Sequence, residues 1–299
     1  MALQIAVALA AASCFAADNQ SKSKSQIIAQ PAAKSQRPPA RKATATERLL
    51  LDARDGRLDD FSFLTAALTA SGMETADEAQ KWLAMYKPVR AGIVAQLPAG
   101  TTTDRLKAIH AAAYRFVLTG AYQESCSDLR ETFTSGSFNC LTSLAVCFDL
   151  SRAAGINAQP VLIRGHVSLA YSGANNQALI FEPGAADWHA REFADQSASR
   201  VLSPIELLGK FYYNRGIELL RAGGYQEGVS LLRTSLALDP SDDDTRANLV
   251  AGLNNWAVEE CQGGRYGEAA SLIERGLALD PTFAPLVANE KFVRTKLSK

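Results

Sequence analysis

Residues 138–184 read FNCLTSLAVCFDLSRAAGINAQPVLIRGHVSLAYSGANNQALIFEPG, and this stretch decides the fold class. Asn139 or Ser137 can cap a helix that runs from Cys140 to Ala154 and ends at Gly155. Three β-type runs separated by turn residues come next. They are Gln159–Ile163, His166–Tyr171 and Ala178–Phe181, the last one stopped by Pro183 and Gly184. A helix followed by consecutive hairpin strands predicts an α+β core.

Helical patterns lie on both sides of this core. Residues 46–120 show apolar residues at helical spacing, with Gly72 as a stop, an interruption or a kink at Pro88 and another end at Gly120. After Ser203 and Pro204 the helical pattern returns and continues to the end of the chain. The sequence therefore predicts one domain at 46–202, with a helical N-terminal part, and an all-α region at 203–299.

The C-terminal region contains an internal repeat. The stretch from Tyr225 to Pro240 matches the stretch from Tyr266 to Pro281, 41 residues later, and both end in Leu-Ala-Leu-Asp-Pro. This pattern resembles the tetratricopeptide repeat, whose usual period is about 34 residues. A long helix at Asp243–Gln262 absorbs the additional residues, and residues 283–297 form a closing helix. Two such repeats are too few for a free-standing array, so we expect them to pack on the preceding domain.

The N-terminus has the pattern of an exported protein. Leu3–Ala12 is apolar, too short to span a bilayer, and followed by small residues that allow cleavage after Ala16. We therefore expect a signal peptide at 1–17 and a periplasmic or secreted protein, or a lipoprotein anchored through Cys14. Residues 18–45 are basic and rich in Pro, Ser and Gln, which predicts a disordered linker.

Composition excludes several classes of function. Lys and Arg together number 31, as do Asp and Glu, so no basic field indicates a nucleic-acid partner. Outside the N-terminus no apolar run is long enough to span a membrane. The cysteines form no CxxC pair and the three histidines lack zinc-ligand spacing, so neither a metal nor another cofactor is expected. Three cysteines could form a disulfide, with the pairing left open: Cys126, Cys147 and Cys261.

One cysteine lies where a nucleophile could be activated. Cys140 falls in the first helical turn, where the helix dipole stabilises a thiolate and lowers its pKa. His166 begins the second strand and Glu182 ends the third, so an antiparallel pairing brings them together. A histidine can take the thiol proton while a carboxylate orients the imidazole. His189 is the rival base, and Asp187 is the rival acid.

The same residues carry a family resemblance. The segments FNCLTSLA at Phe138–Ala145, RAAGINA at Arg152–Ala158, RGHV at Arg164–Val167 and IFEP at Ile180–Pro183 resemble the bacterial transglutaminase-like superfamily. The resemblance implies a papain-like fold and a catalytic set of Cys140 as nucleophile, His166 as general base and Glu182 as the acid. Two positions depart from the pattern: Phe138 replaces a common Gly, and Glu182 replaces the usual Asp.

Two functions follow from this reading. The first is an exported thiol enzyme that acts on an amide or peptide bond by hydrolysis or acyl transfer, with a protein or peptide substrate and a partner on the repeats. The second is a catalytically silent papain-fold scaffold whose repeats bind a protein or peptide. Asn139 could serve as an oxyanion residue or as a helix cap. His110, in the middle of a helix, is expected to be packed or at an interface.

Overall fold

The computed structural model describes residues 43–193 and 199–298, which form eleven α-helices and one five-stranded antiparallel sheet. The helices are α1 (Ala45–Asp52), α2 (Phe63–Ala70), α3 (Ala76–Ala95), α4 (Thr102–Phe116), α5 (Leu129–Thr134), α6 (Cys140–Ala153), α7 (Pro204–Arg221), α8 (Tyr225–Leu238), α9 (Asp243–Gln262), α10 (Tyr266–Leu279) and α11 (Ala284–Leu297). The strands are β1 (Ala158–Ile163), β2 (His166–Ser172), β3 (Ala178–Phe181), β4 (Ala190–Glu192) and β5 (Ser199–Val201). Within these ranges no helix has the length and apolarity needed to cross a membrane.

The sheet has the strand order β4-β3-β2-β1-β5, and its central hairpin is set by a two-residue turn. Arg164 and Gly165 both have positive φ, 50° and 80°, as the tightest hairpin turns require. The turn pairs Ile163 directly with His166, so His166 is the first residue of its strand. The next hairpin pairs Leu169 with Phe181, which brings the end of β3 back towards the start of β2.

Helix α6 packs against one face of this sheet. Asn139 caps the helix, because its Oδ1 accepts from the backbone N–H groups of Leu141 and Thr142 at 2.9 Å each. Alternation along the strands turns one set of side chains towards α6. Phe148 and Leu144 of the helix and Leu169 of β2 share a buried core with residues of α2, α3 and α4. The predicted α+β core is confirmed.

The C-terminal helices form a second core that shares α7 with the first. Leu208 and Phe211 of α7 are buried in the first core, whereas Ile217 and Leu220 of the same helix are buried in the second. Each helix from α7 to α11 packs on its neighbours in sequence. The expectation that the helical run packs on the preceding domain is therefore confirmed.

A polar network reinforces this junction. Arg200 of β5 donates Nη1–H to Glu206 of α7 at 2.7 Å and to Asp239 at 3.0 Å. Lys210 of α7 forms a buried ion pair with Asp242 at 2.6 Å. Asp239 and Asp242 lie in the connection between α8 and α9. The end of the sheet, α7 and that connection are therefore held together.

The predicted helix at residue 140 and the three predicted strands agree closely with the structure. Other predictions need correction. Helix α3 continues through Pro88, so the helix is not interrupted there, and the predicted linker extends one residue too far, because α1 begins at Ala45, capped by Thr44. The short elements α5, β4 and β5 were not predicted. Cys126 and Cys147 are free thiols rather than disulfide partners. The signal peptide at 1–17, including Cys14, and the linker up to residue 42 lie outside the described residues.

Candidate functional site

The first residue of α6 is Cys140, at the end of the helix where the backbone N–H groups and the positive end of the helix dipole favour an anion. The Leu141 backbone N–H acts on the thiol and favours its charged form. The cap residue Asn139 is itself buried and also donates to the Glu124 carbonyl at 3.1 Å. Asn139 therefore serves as a helix cap, with its oxygen already occupied by the helix start.

The predicted base and acid of the site meet at one end of the sheet. His166 Nε2 lies 3.5 Å from Glu182 Oε2, with 32% and 47% of the two side chains exposed. This contact follows from the register, because His166 opens β2 directly after the tight turn and Glu182 follows the last residue of β3. An imidazole whose Nε2 faces a carboxylate keeps Nδ1 for another partner.

A turn directly after β3 lies between this pair and the start of α6 in space. The Ala185 N–H donates to the Glu182 carbonyl at 3.1 Å, which closes a turn over Glu182–Ala185. Within it, a Cβ added to Gly184 would lie 3.3 Å from Cys140 Cα and 3.2 Å from Ser143 Oγ. The turn therefore touches the backbone that carries the thiol. Among the described residues, however, the polar contacts of His166 include Glu182 but not Cys140.

The acidity of the Cys140 thiol differs from the sequence prediction. Burial raises the pKa of Cys140, while the Leu141 N–H, the Tyr122 hydroxyl and the Cys140 N–H lower it by smaller amounts. The prediction of a pKa lowered by the helix dipole is therefore wrong in its net direction. The N–H groups at the helix start do favour the thiolate, but its desolvation outweighs them.

Tyr122 is a site residue that sequence reasoning missed. Its hydroxyl interacts with both the thiol and the backbone N–H of Cys140. The Tyr122 ring, with the residue 52% exposed, packs edge-on against Phe138 at 5.9 Å between centroids. A hydrogen bond from the Gln123 N–H to the Phe138 carbonyl, 2.8 Å, holds the two segments together. No local pattern marks Tyr122, because its neighbours in space come from a different segment.

The remaining histidines have different surroundings. His110 is 3% exposed, so its expected packed position is confirmed, and its Nε2 lies 2.9 Å from the Ala185 carbonyl. Burial lowers the pKa of His110, and Asp187 opposes this effect. Asp187, the rival acid, thus acts on His110. His189, the rival base, is exposed and lines a cavity of about 240 Å³ together with Glu182 and Arg191.

The two other thiols in the described part of the first domain, Cys126 and Cys147, are poor nucleophiles. Burial raises the pKa of Cys126 to about 11 and that of Cys147 to about 12. Cys147 lies on α6 and is buried in the core. Within the described ranges, no cluster of three or more His, Cys, Asp or Glu residues could hold a metal ion.

Comparison with known proteins adds no relative to this picture. No family model, no curated protein and no solved structure matches the chain.

Proposed function

We propose that this chain is a transglutaminase-like thiol enzyme that acts on an amide or peptide bond through an acyl-thioester on Cys140. The observation that carries the proposal is the convergence of two features at one end of the sheet. His166 and Glu182 are paired there, and the turn that begins at Glu182 touches Cys140 through Gly184. A thiol, an imidazole and a carboxylate in this order along a helix start and two strands suit nucleophilic catalysis.

The chemistry assigns one role to each side chain. His166 takes the proton of the Cys140 thiol as sulfur attacks the substrate carbonyl carbon, and the same proton passes to the leaving amine when the C–N bond breaks. Glu182 stabilises the imidazolium that forms between these two events. The thioester is then resolved by water, which gives hydrolysis, or by a second amine, which gives acyl transfer. Because the raised pKa of Cys140 keeps the resting thiol neutral, removal of its proton during attack requires a base.

The proposal includes a papain-like core and tetratricopeptide-like helices. A capped helix with the nucleophile at its start, packed on an antiparallel sheet that carries the base, supports the first part. The helical hairpins α7–α8 and α9–α10, followed by α11, support the second. In this proposal the helical run binds a protein or peptide partner. The apolar stretch Leu3–Ala12 supports export, and a mature N-terminus near Ala17 or at lipidated Cys14, found by mass spectrometry, would test it.

Acylation of Cys140 tests the enzymatic proposal directly. The purified protein is mixed with p-nitrophenyl acetate, and the acetyl thioester is detected by intact mass and by its lability to hydroxylamine. We expect Cys140→Ala to abolish acylation and His166→Ala to slow it by about 100-fold or more. His189→Ala serves as the control and should leave the rate unchanged. Equal acylation of wild type and His166→Ala would contradict the proposal.

A second candidate function is a non-catalytic scaffold for a protein or peptide partner. The observation that favours it is the raised pKa of Cys140 in a structure that pairs His166 with Glu182 and not with the thiol. A scaffold predicts that Cys140→Ala and His166→Ala leave partner binding intact and that no acyl-thioester forms. The acylation experiment therefore separates the two functions.

A further inference from the structure

His110 is a buried titratable group with no part in the chemistry proposed above. It lies in the middle of α4, and three aromatic rings surround it: Tyr114 at 4.8 Å, Trp188 at 5.6 Å and Phe181 at 6.2 Å between centroids. An apolar side chain would suit these surroundings better, because a buried imidazole must be hydrogen-bonded to offset its lost hydration. The choice of a histidine at this position therefore calls for a polar partner.

That partner is a single backbone atom of the site. With a proton on Nε2, His110 donates to the Ala185 carbonyl at 2.9 Å. Ala185 closes the turn that Glu182 opens, through its own N–H and the Glu182 carbonyl at 3.1 Å. Between these two residues lies Gly184, where a Cβ would come within 3.3 Å of Cys140 Cα. One side chain thus holds the last residue of a four-residue turn whose first residue is the proposed acid and whose third residue contacts the nucleophile's backbone.

We propose that His110 is a positioning residue of the thiol site, which fixes the turn Glu182–Ala185 and thereby keeps Glu182 on His166 and Gly184 against Cys140. This inference rests on the proposed function. His110 acts through the turn and does not touch the reacting atoms. Its neutral form is favoured, because burial lowers its pKa more than Asp187 and the Ala185 carbonyl raise it. The neutral tautomer with its proton on Nε2 retains the N–H that donates to the carbonyl.

Three variants separate positioning from packing. His110→Leu keeps an apolar side chain in the aromatic surroundings but removes the donor. His110→Gln places an amide N–H near the position of Nε2 and should restore the hydrogen bond. Tyr114→Phe is the matched control, because it alters the same aromatic group at a buried hydroxyl that has no hydrogen-bond partner in the described part of the chain.

The first readout is hydrogen exchange of the peptide that covers residues 182–188. His110→Leu should accelerate exchange of the turn amides by about tenfold, with α6 and the central strands unchanged. His110→Gln and Tyr114→Phe should exchange like wild type. If His110→Leu leaves turn exchange unchanged, the carbonyl contact does not hold the turn and the proposal is overturned.

The second readout is the pH profile of Cys140 alkylation by iodoacetamide, measured with and without Glu182→Gln. In wild type Glu182→Gln should alter the profile, and in His110→Leu it should have little further effect, because the turn no longer presents the acid. An equal effect of Glu182→Gln in both backgrounds would make His110 a packing residue only and overturn the inference. If neither Glu182→Gln nor His166→Ala alters the wild-type profile, the proposed function itself fails, and this inference fails with it.

Discussion

The thiol site and the helical run place their polar groups in opposite surroundings. At the site, His166 and Glu182 are a third to a half exposed and 3.5 Å apart. In the helical run, Lys210 and Asp242 are 9% and 2% exposed and only 2.6 Å apart. A buried, closely matched pair fixes one arrangement, because separating the charges in a low-dielectric interior is costly. A wider, solvated pair can exchange protons and admit a third group.

The chain therefore has a rigid polar pair in one region and an adjustable polar pair in another. The rigid pair lies at the junction of α7 with the connection between α8 and α9, which must keep the helical run on the first core. The adjustable pair lies at the sheet end, where catalysis would need a proton to move.

Removing the buried cation should destabilise the protein most. Lys210→Met leaves the Asp242 carboxylate buried without its partner, which should cost about 3–5 kcal/mol in the free energy of unfolding by urea. Arg294→Met is the control, since Arg294 is 75% exposed in its pair with Glu290 and should cost at most about 1 kcal/mol. Similar losses in the two variants would mean that burial does not strengthen the Lys210 pair.

The packing between α10 and α11 should be the next most sensitive feature. A Cβ at Gly276 would clash with Leu286 Cδ1, so Gly276→Leu overpacks this contact at a cost of about 1–3 kcal/mol. A Cβ at Gly267, on the same helix, would have open space around it, and Gly267→Leu should be neutral or stabilising by up to about 1 kcal/mol. In thermal melts, the melting temperature of Gly276→Leu should fall below that of wild type, and that of Gly267→Leu should stay equal to it or rise. Equal melting temperatures would contradict the helix contact.

At the thiol site the expected effects are shifts in pH dependence. Burial raises the pKa of Cys140, so its thiolate is disfavoured, and alkylation should rise with pH to a midpoint above the reference value of about 8.5. Cys126 and Cys147 should react at still higher pH. Mass spectrometry of iodoacetamide-treated protein between pH 6 and 10 measures all three. A Cys140 midpoint below 8.5 would instead support the sequence prediction of a thiolate stabilised by the helix dipole.

The smallest predicted effect belongs to Tyr122. Its hydroxyl lowers the pKa of the Cys140 thiol, so Tyr122→Phe should raise that pKa and slow alkylation at pH 8 by a few-fold, as expected for one hydrogen bond. The Phe ring keeps the contact with Phe138, so stability should be unchanged. Faster alkylation in Tyr122→Phe would show that the phenol shields the thiol instead of stabilising its charge.

The sequence could predict the parts of this fold that depend on local signals. Asn139 and Gly155 mark the ends of α6, and the turns mark the hairpins, so these elements agree with the structure to within one or two residues. Strand β5 was missed because its three residues, Ser199–Val201, pair with β1 from a distance of almost forty positions. No period of two or cluster of β-branched residues reveals so short a strand.

The positions of the candidate site residues in the fold were predictable from the sequence, but the contacts around them were not. Cys140, His166 and Glu182 could be selected because their positions on a helix start and two strand ends are readable from the sequence. The net direction of the Cys140 pKa was not, since it depends on how deeply the thiol is buried. Tyr122 and His110 act on the site across 18 and 75 positions, at Cys140 and Ala185 respectively, and no local pattern encodes such contacts.

Helix α7 has a consequence for synthesis of the chain. The first core includes Leu208 and Phe211 of α7 and Leu238 of α8, which follow the sheet in sequence. Because a nascent chain emerges from its N-terminus onwards, the sheet domain must wait for these residues before its core can close. Until α7 and α8 have left the ribosome, the domain therefore lacks the apolar side chains that complete its core, and the surface they cover in the finished protein is open to chaperones.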